Sequence, residues 1–360
     1  MASLQPKEPM LAGTPPATAD RFAGAATILI AAVAVCAAMS IASSVFAPMA
    51  LAFLIIAMLW PLQYRLQAAL PRGLALIVTL AVLIVVFALF GSLILWAFGR
   101  VARWIINDTA RFQAAYDQLT LWLEGHGVAV AAIWADHFNV GSVIGIIQTI
   151  TGRLNTTMSF WVVVFVYVFL GLPEVNDFAR KIKTMGNADV GRVLMNGSLI
   201  TGEKIRRYML VRTQMSVITG LLVYAAASAT GLPLAKEWGV IAFVLNYIPF
   251  LGPMIATVFP TVVAIVEFQH WQSAAMLFVA LNIIQFVVGS YIEPKVSGNA
   301  LSISPFLVLF AIFFWTYLWG LFGAFIGVPI TIAILTFCDQ HERTRWLAHL
   351  LGGTPDKATP

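Results

Sequence analysis

The sequence predicts an all-α polytopic membrane protein, and three observations point to that class. Of 360 residues, 10% are charged and 60% are hydrophobic, whereas a water-soluble chain is about a quarter charged. The uncharged stretches run far beyond the roughly ten residues of a transmembrane β-strand. Two of these stretches are too long for one crossing and contain helix breakers near their middle. We therefore expect about six full transmembrane helices plus two broken elements.

The charge balance and the motif inventory argue against several functional classes. The net charge of +5 is typical of a membrane protein with basic cytoplasmic loops, and no basic patch interleaved with aromatics predicts nucleic-acid binding. The sequence contains no phosphate-binding P-loop, no His-Glu-x-x-His and no Gly-x-Ser-x-Gly. We expect neither an enzyme nor an ATP-driven pump, and neither a cofactor nor a resident metal.

The N-terminal part of the chain predicts a tail followed by three spans. Residues 1–21 are rich in Pro, Ala and Thr, which is typical of a flexible cytoplasmic tail. The next 43 positions, up to Arg65, carry no charge. As one helix they would measure about 65 Å, roughly twice the hydrocarbon core, so we expect a turn near Ser43 and Pro48. Transmembrane helices 1–3 are thus assigned to residues 22–98.

Four further regions follow from the distribution of charge. Residues 99–155 are expected to form an amphipathic extracytoplasmic helical segment, because apolar residues recur there at three- and four-residue spacing. Residues 156–172 form transmembrane helix 4, and residues 173–207 form a basic, amphipathic cytoplasmic segment. Residues 208–338 form the transport core, and residues 339–360 form a cytoplasmic tail.

The core contains the two broken helical elements. The first, residues 238–267, is interrupted by the run from Asn246 to Pro253, and the second covers residues 305–338. The uncharged runs that hold them would span about 43 Å and 65 Å as single helices. Packing or hinge roles are expected where breakers and small residues occur: Pro294, Gly320, Gly323, Gly327 and Pro329.

Two topologies are compatible with these breaks. If each broken element crosses the bilayer, the chain has eight spans; if each is a re-entrant hairpin, it has six spans plus two hairpins that enter from opposite faces. Both versions place the termini on one side, but they place the loop from Glu293 to Ser304 on opposite sides. The predicted inner segments hold 15 of the 21 Lys and Arg residues, against four in the outer segment, so both termini are expected to be cytoplasmic.

Three motifs in the second half of the chain carry a family resemblance. They are Asn246-Tyr247-Ile248-Pro249-Phe250-Leu251-Gly252-Pro253; Tyr291-Ile292-Glu293-Pro294-Lys295 with Gly298, Leu301 and Ser304-Pro305 after it; and the end through Gly320, Gly323 and Val328-Pro329. In order and spacing they resemble the autoinducer-2 exporter family of bacterial membrane proteins. The resemblance implies a homo-oligomeric, multipass transporter of the bacterial cytoplasmic membrane with discontinuous helices. Members are linked to signal-molecule export and to sodium/proton exchange, which leaves the substrate open.

The first motif predicts a site for a cation or polar solute. Pro249 and Pro253 lack backbone donors, which would leave the carbonyls of Leu245 and Pro249 unpaired at membrane depth. Asn246 adds a side-chain carbonyl, and Gly252 suits the turn into a half-helix with Pro253 near its first position. The alternative is a proline kink that neighbouring helices fill.

Polar residues next to the apolar runs are candidates for ion coupling and for a polar path. Glu293 and Glu267 could carry a proton or bind a cation; alternatively each marks the water interface, or Glu293 pairs with Lys295. Asn282 and Gln285 lie three residues apart on one helical face, and they line a path or make interhelical hydrogen bonds. Ser304 is the predicted N-cap of the second broken element.

These observations favour a secondary transporter that moves a small solute or ion by alternating access, with the bilayer and Na⁺ or H⁺ as partners. A channel-like pore and a non-transporting scaffold for envelope partners are the alternatives. An exclusively passive flux would favour the pore, whereas a function that depends only on the outer amphipathic segment would favour the scaffold.

Overall fold

The computed structural model describes residues 17–125, 154–268, 270–297 and 303–352, and in these ranges the regular secondary structure is helical. A π-helical turn, Val288–Ile292, lies between the helices that end at Val287 and begin at Glu293. The helices in chain order are α1 (Ala17–Ile41), α2 (Ser43–Ala69), α3 (Arg72–Asn107), α4 (Thr109–Gly125), α5 (Leu154–Lys183), α6 (Ala188–Ala229), α7 (Ala235–Leu245), α8 (Leu251–Glu267), α9 (Trp271–Val287), α10 (Glu293–Ser297), α11 (Pro305–Asp339) and α12 (Arg345–Leu351).

Six helices of the described chain are long and apolar enough to cross a membrane. They are α2, α3, α5, α6, α9 with its continuation to Val296, and α11. The apolar part of α1 (26–41) and helix α8 are shorter than a usual span. The all-α polytopic class is confirmed.

The first apolar run breaks slightly earlier than the predicted turn. Helix α1 ends at Ile41, although the Ala42 N–H still donates to the Ala38 carbonyl, and Pro48 lies inside α2. Residues 1–46 and residues 47–360 form separate compact units. All predicted site residues belong to the second unit.

Several predicted segment boundaries also fall within helices. Helix α3 continues to Asn107 before α4 begins, and residues 126–153 of the predicted outer segment lie outside the described chain. The predicted basic segment, residues 173–207, is divided between the end of α5 and the start of α6. Helix α6 has 42 residues and a length of about 63 Å, so part of it must extend beyond the hydrocarbon core.

The main buried apolar cluster joins α3, α6, α7, α8 and α9. Helices α6 and α7 approach closely at two glycines: a Cβ on Gly220 would lie 2.8 Å from the carbonyl oxygen of Gly239, and the reverse distance is also 2.8 Å. Trp238, which directly precedes Gly239, is fully buried in the cluster, and its indole N–H donates to the carbonyl of Pro233. This packing holds the first broken element against α6.

The second broken element, α11, doubles back on itself at Gly320. This glycine has φ 63° and ψ −143°, a conformation that residues with a Cβ rarely adopt. The Trp315 indole nitrogen lies 3.4 Å from the Thr331 hydroxyl, although sixteen residues of straight helix would cover about 24 Å. At the start of α11 the Ser304 side chain accepts a hydrogen bond from the Leu307 N–H, which confirms the predicted N-cap.

The first broken element consists of α7 and α8, which meet at residues 246–250. A Cβ on Gly252 would lie 2.0 Å from the Leu245 carbonyl oxygen, so only glycine permits this approach. Pro253 is the third residue of α8 and thus lies in its first turn, near the helix start. A proline is tolerated there because the first four N–H groups of a helix have no intrahelical acceptor.

Gly323→Ala is expected to destabilise the fold, because the added Cβ would lie 1.8 Å from the carbonyl oxygen of Trp315. The expected loss is about 2 kcal/mol or more, since overpacking typically costs about 1–3 kcal/mol. Gly91→Ala is the matched control, because nothing lies within 4 Å of its Cβ position, and a helix interior favours Ala by about 0.5–1 kcal/mol. Thermal unfolding in detergent compares the two variants; equal midpoints would contradict the packing described for Gly320–Gly323.

Candidate functional site

Helix α6 presents a buried row of polar side chains, here named the α6 polar strip: Tyr208, Arg212 and Ser216. Their four-residue spacing places them on one helical face, and all three are buried. Thr213 lies beside the strip and is exposed. An apolar helix with a buried guanidinium and a buried hydroxyl needs partners on the helices that face it.

Arg212 finds its counter-charge on the chain that follows α9. Its Nη1 lies 3.2 Å from Oε2 of Glu293, and the two side chains are 11% and 27% exposed. Its Nε donates to the Tyr208 hydroxyl at 3.4 Å, and its guanidinium carbon lies 5.8 Å from the centre of the Tyr208 ring. The alternative of a pair between Glu293 and Lys295 is wrong, because Lys295 is exposed and Glu293 pairs with Arg212.

The π-helical turn aims Glu293 towards α6. It ends at Ile292, directly before Glu293. One extra residue per turn rotates the following side chains by about 100° relative to a continuous α-helix. Val288, at the start of the turn, packs against Val211 and Met215 beside Arg212. The turn therefore combines apolar packing against α6 with a carboxylate that faces the guanidinium.

The first broken element reaches the same face of α6 through its tip. The Asn246 amide nitrogen donates to the Ser216 hydroxyl at 3.3 Å, and Asn246 is 6% exposed. The Tyr247 hydroxyl donates to Thr213 at 3.0 Å, and its ring centre lies 6.0 Å from that of Phe325 in α11. The tip of the first broken element thus lies beside the α6 polar strip, where it also contacts Phe325 of α11.

The two carbonyls that were expected to be unpaired have backbone donors. The Leu245 carbonyl accepts from the Ile248 N–H at 2.9 Å, and the Pro249 carbonyl accepts from the Leu251 N–H at 2.7 Å. The second bond closes a γ-turn around Phe250, whose φ of 62° and ψ of −53° are rare and strained for a residue with a side chain. The prediction of open carbonyls is therefore wrong, and Pro249 shapes the tip through this turn.

The pair Asn282 and Gln285 does not form one polar path. Asn282 is exposed and donates to the carbonyl of Phe278 in its own helix at 2.8 Å. Among the residues that the structure describes, the Gln285 amide nitrogen has no hydrogen-bond partner although it is buried, and the same holds for the Thr219 hydroxyl one turn beyond Ser216. Burial of a polar group without a partner costs about 1–3 kcal/mol. Gln285 stays a candidate for solute binding, whereas Asn282 is satisfied locally.

Glu267 and Glu237 pair with arginines on either side of the α3–α4 junction. Arg111 lies 3.0 Å from Glu267, and Arg100 lies 3.1 Å from Glu237, whose side chain is 5% exposed. The two acids stand at the two ends of the first broken element. Glu267 thus makes its ion pair with the predicted outer segment and not with the polar strip.

The predicted hinge residues fall into three environments. Gly323 and Gly327 pack against Trp315 and the backbone before Gly320, which supports the close-packing interpretation of this small-residue face. Pro329 is buried inside α11. Pro294 is exposed near the end of the helix that continues from α9 through the π-helical turn.

Sequence reasoning missed Arg212, Ser216 and Glu237 as functional candidates. Arg212 was visible as the last charge before an uncharged run, and its spacing from Tyr208 and Ser216 is the signal of a buried helical face. Glu237 was visible as a boundary charge only. In each case the sequence does not show which helix faces the residue.

Sequence comparison agrees with this architecture. The family model described as AI-2E family transporter matches residues 28–343. The chain belongs to the AI-2E transporter family. Membership confirms the expected family and makes the protein a multi-pass membrane protein of a bacterial transporter family, with both broken elements inside the matched region.

Individual relatives of this AI-2E family chain are distant. "AI-2 transport protein TqsA" of Escherichia coli K12 is 25% identical over 318 residues, which cover 86% of this chain and 90% of that protein. "Putative transport protein YrrI" of Bacillus subtilis is 23% identical over 327 residues. A "Putative transport protein" of Borreliella burgdorferi is 29% identical over 194 residues, which cover 54% of each chain.

Glu293→Gln is expected to destabilise the protein by about 2 kcal/mol, because it leaves the buried Arg212 without a counter-charge; the partial exposure of Glu293 keeps the loss below that of a fully buried pair. Lys295→Gln, two residues away and exposed, is the matched control and should change stability by less than about 0.5 kcal/mol.

Unfolding midpoints of Glu293→Gln, Arg212→Gln and the double variant complete the test as a thermodynamic cycle. The double variant should lose less stability than the two single variants together, since neither charge is then left alone. Strict additivity would mean that the two side chains do not interact.

Proposed function

We propose that the protein is a secondary transporter that moves a small solute or ion across the bacterial cytoplasmic membrane by alternating access. The observation that carries the proposal is the convergence of the first broken element and of the chain that follows α9 on one face of α6. Asn246 contacts Ser216 there, Glu293 contacts Arg212, and Tyr247 contacts Phe325 of α11. Binding sites at the tips of interrupted helices are a recurring design of secondary transporters.

Glu293 is the proposed coupling residue. Its carboxylate is shared between the Arg212 guanidinium and the exposed side of the chain, since the side chain is 27% exposed. A proton or a sodium ion that binds this carboxylate competes with the guanidinium for it. Loss of the ion pair then frees the chain after α9 to shift relative to α6, which couples cation binding to movement.

Asn246 is the proposed solute-binding residue of the first broken element. Its amide group donates to Ser216 through a bond of 3.3 Å, which is long enough to be exchanged for a better acceptor. The side-chain oxygen of Asn246 is a further polar group that a solute can use, and Gln285 of α9 is a second candidate. The proposed site therefore combines the Asn246 amide with one carboxylate and one guanidinium.

Re-entrant hairpins are the proposed topology of the broken elements, with both chain termini cytoplasmic. The ion pairs of Glu237 and Glu267 support this for the first element, because Arg100 and Arg111 lie only eleven residues apart around the α3–α4 junction. A full crossing would separate the two acids by about 30 Å. The reversal at Gly320 supports a hairpin for the second element.

Two observations bear on the identity of the transported solute. The name of the relative TqsA records AI-2 transport, which makes export of a signal molecule one proposal. The carboxylate at Glu293 makes sodium/proton exchange the other. Purified protein in vesicles, with sodium, proton and potassium gradients imposed separately, distinguishes them, and accumulation of solute against its gradient separates a transporter from a channel-like pore.

Cysteine labelling tests the hairpin topology. In a background with Cys36→Ala and Cys338→Ala, His270→Cys should react with an impermeant maleimide only from outside, and Lys295→Cys only from inside. Eight full crossings would give the opposite pattern at both positions, so either result is decisive.

Asn246→Ala and Glu293→Gln should each reduce flux in vesicles at least about tenfold, the equivalent of about 1.4 kcal/mol of lost interaction. Asn196→Ala and Glu342→Gln are matched controls, because both side chains are exposed and lie outside the proposed site. Glu293→Asp keeps the carboxylate and should retain part of the activity. Flux at the wild-type rate in both site variants, at equal amounts of folded protein, would reject the site.

A further inference from the structure

A second polar site lies at the turn between α2 and α3, where these helices face the end of α5. An open cavity of about 650 Å³ is found there. It shares no lining residue with the proposed transport site. Its nitrogen-bearing lining side chains are Gln63, Gln67, Arg72, Asn176, Arg180 and Lys183.

The charge of this cavity is positive. Three basic side chains line it, Arg72, Arg180 and Lys183, against the single acidic side chain of Asp177. Asp177 accepts a hydrogen bond from Nη2 of Arg180 one helical turn away, so this carboxylate is already paired. Arg72 lies close enough to Asp177 to interact with its charge, whereas Lys183 makes no ion pair within the described part of the chain.

One lining side chain is held in place by the fold. Gln63 is only 1% exposed, and its Oε1 accepts a hydrogen bond of 2.6 Å from the hydroxyl of Thr79 in α3. Because the oxygen is engaged, the group that Gln63 can offer to a ligand is its amide N–H donor. A buried, fixed donor next to the basic side chains of Arg72 and Lys183 is the arrangement of a built anion site.

The start of α3 adds further donors to the same cavity. Helix α3 begins at Arg72, both Arg72 and Gly73 line the cavity, and the preceding Pro71 provides no side-chain cap. The first backbone N–H groups of a 36-residue helix therefore lack a side-chain acceptor, and the positive end of the helix dipole favours a negative group.

We infer that this cavity binds a phosphate group, carried either by an anionic phospholipid or by free phosphate. Guanidinium and amide donors match the several acceptor oxygens of a phosphate, and Arg binds them bidentately. The cavity stands where α2 and α3 turn at the end of their apolar spans, which is the level of lipid headgroups. A bound headgroup there joins the α2–α3 turn to α5.

Ligand-dependent thermal stability of the purified full-length protein tests this site. Four probes are titrated separately: short-chain phosphatidylglycerol below its micelle concentration, short-chain phosphatidylcholine, inorganic phosphate, and sodium chloride at matched ionic strength. Phosphatidylglycerol should raise the unfolding midpoint at lower concentration than phosphatidylcholine. A rise with phosphatidylglycerol alone identifies the lipid as the source, and a rise with inorganic phosphate as well identifies free phosphate as sufficient.

Variants assign the effect to the cavity. Arg72→Gln and Lys183→Gln should each raise the half-saturating concentration about tenfold, since each removes one charge-assisted contact. Lys181→Gln removes the same charge from the same turn of α5 but lies outside the lining, and its titration should match wild type. Arg72→Lys keeps the positive charge and should therefore bind more tightly than Arg72→Gln. It also provides a second test if Arg72→Gln is poorly folded.

Three results would overturn the inference. They are an absence of any shift with the phosphate-bearing probes, an equal shift with sodium chloride, and equal titrations of the Lys183→Gln and Lys181→Gln variants. Because none of these readouts involves flux, failure here leaves the proposed transport site untouched.

Discussion

A guanidinium that lies buried in a long apolar helix must be compensated, because transfer of an unpaired charge away from water costs more than most folds can lose. Arg212 meets this constraint through Glu293 and through the Tyr208 hydroxyl and ring. This need for a counter-charge determines how the core packs. The chain after α9 must bring a carboxylate to α6, and the π-helical turn supplies the rotation that does so.

The remaining contacts divide the first broken element into a closely packed base and an adjustable tip. Close backbone contact between Gly220 and Gly239 holds α7 against α6, and Trp238 beside Gly239 is buried. The ion pairs of Glu237 and Glu267 involve arginines that are 52% and 60% exposed, so they add little to this packing. The tip contacts α6 through the neutral hydrogen bonds of Asn246 and Tyr247. Neutral bonds of this kind contribute about 1 kcal/mol each, so the tip can rearrange while the packed base stays in place.

The sequence was sufficient for the class, for the two interrupted runs and for the helix start at Ser304, because these depend on run length and local chemistry. It was insufficient for the partner of Glu293, since Arg212 stands 81 positions earlier and nothing local relates the two. The carbonyls near Pro249 were predicted wrongly for a related reason. The loss of an α-helical donor was foreseen, but the γ-turn at Phe250 that replaces it depends on how α7 and α8 pack.

The separation of Arg212 from its counter-charge also bears on how the protein is made. At about 5–20 residues per second, the 81 residues up to Glu293 take about 4–16 seconds to synthesise. During that interval α6 carries a positive charge into or near the bilayer with Tyr208 as its nearest partner, one turn away on the same helix. On the same helix the Tyr208 hydroxyl can pair with the guanidinium before Glu293 has been synthesised, whereas the ion pair can form only afterwards.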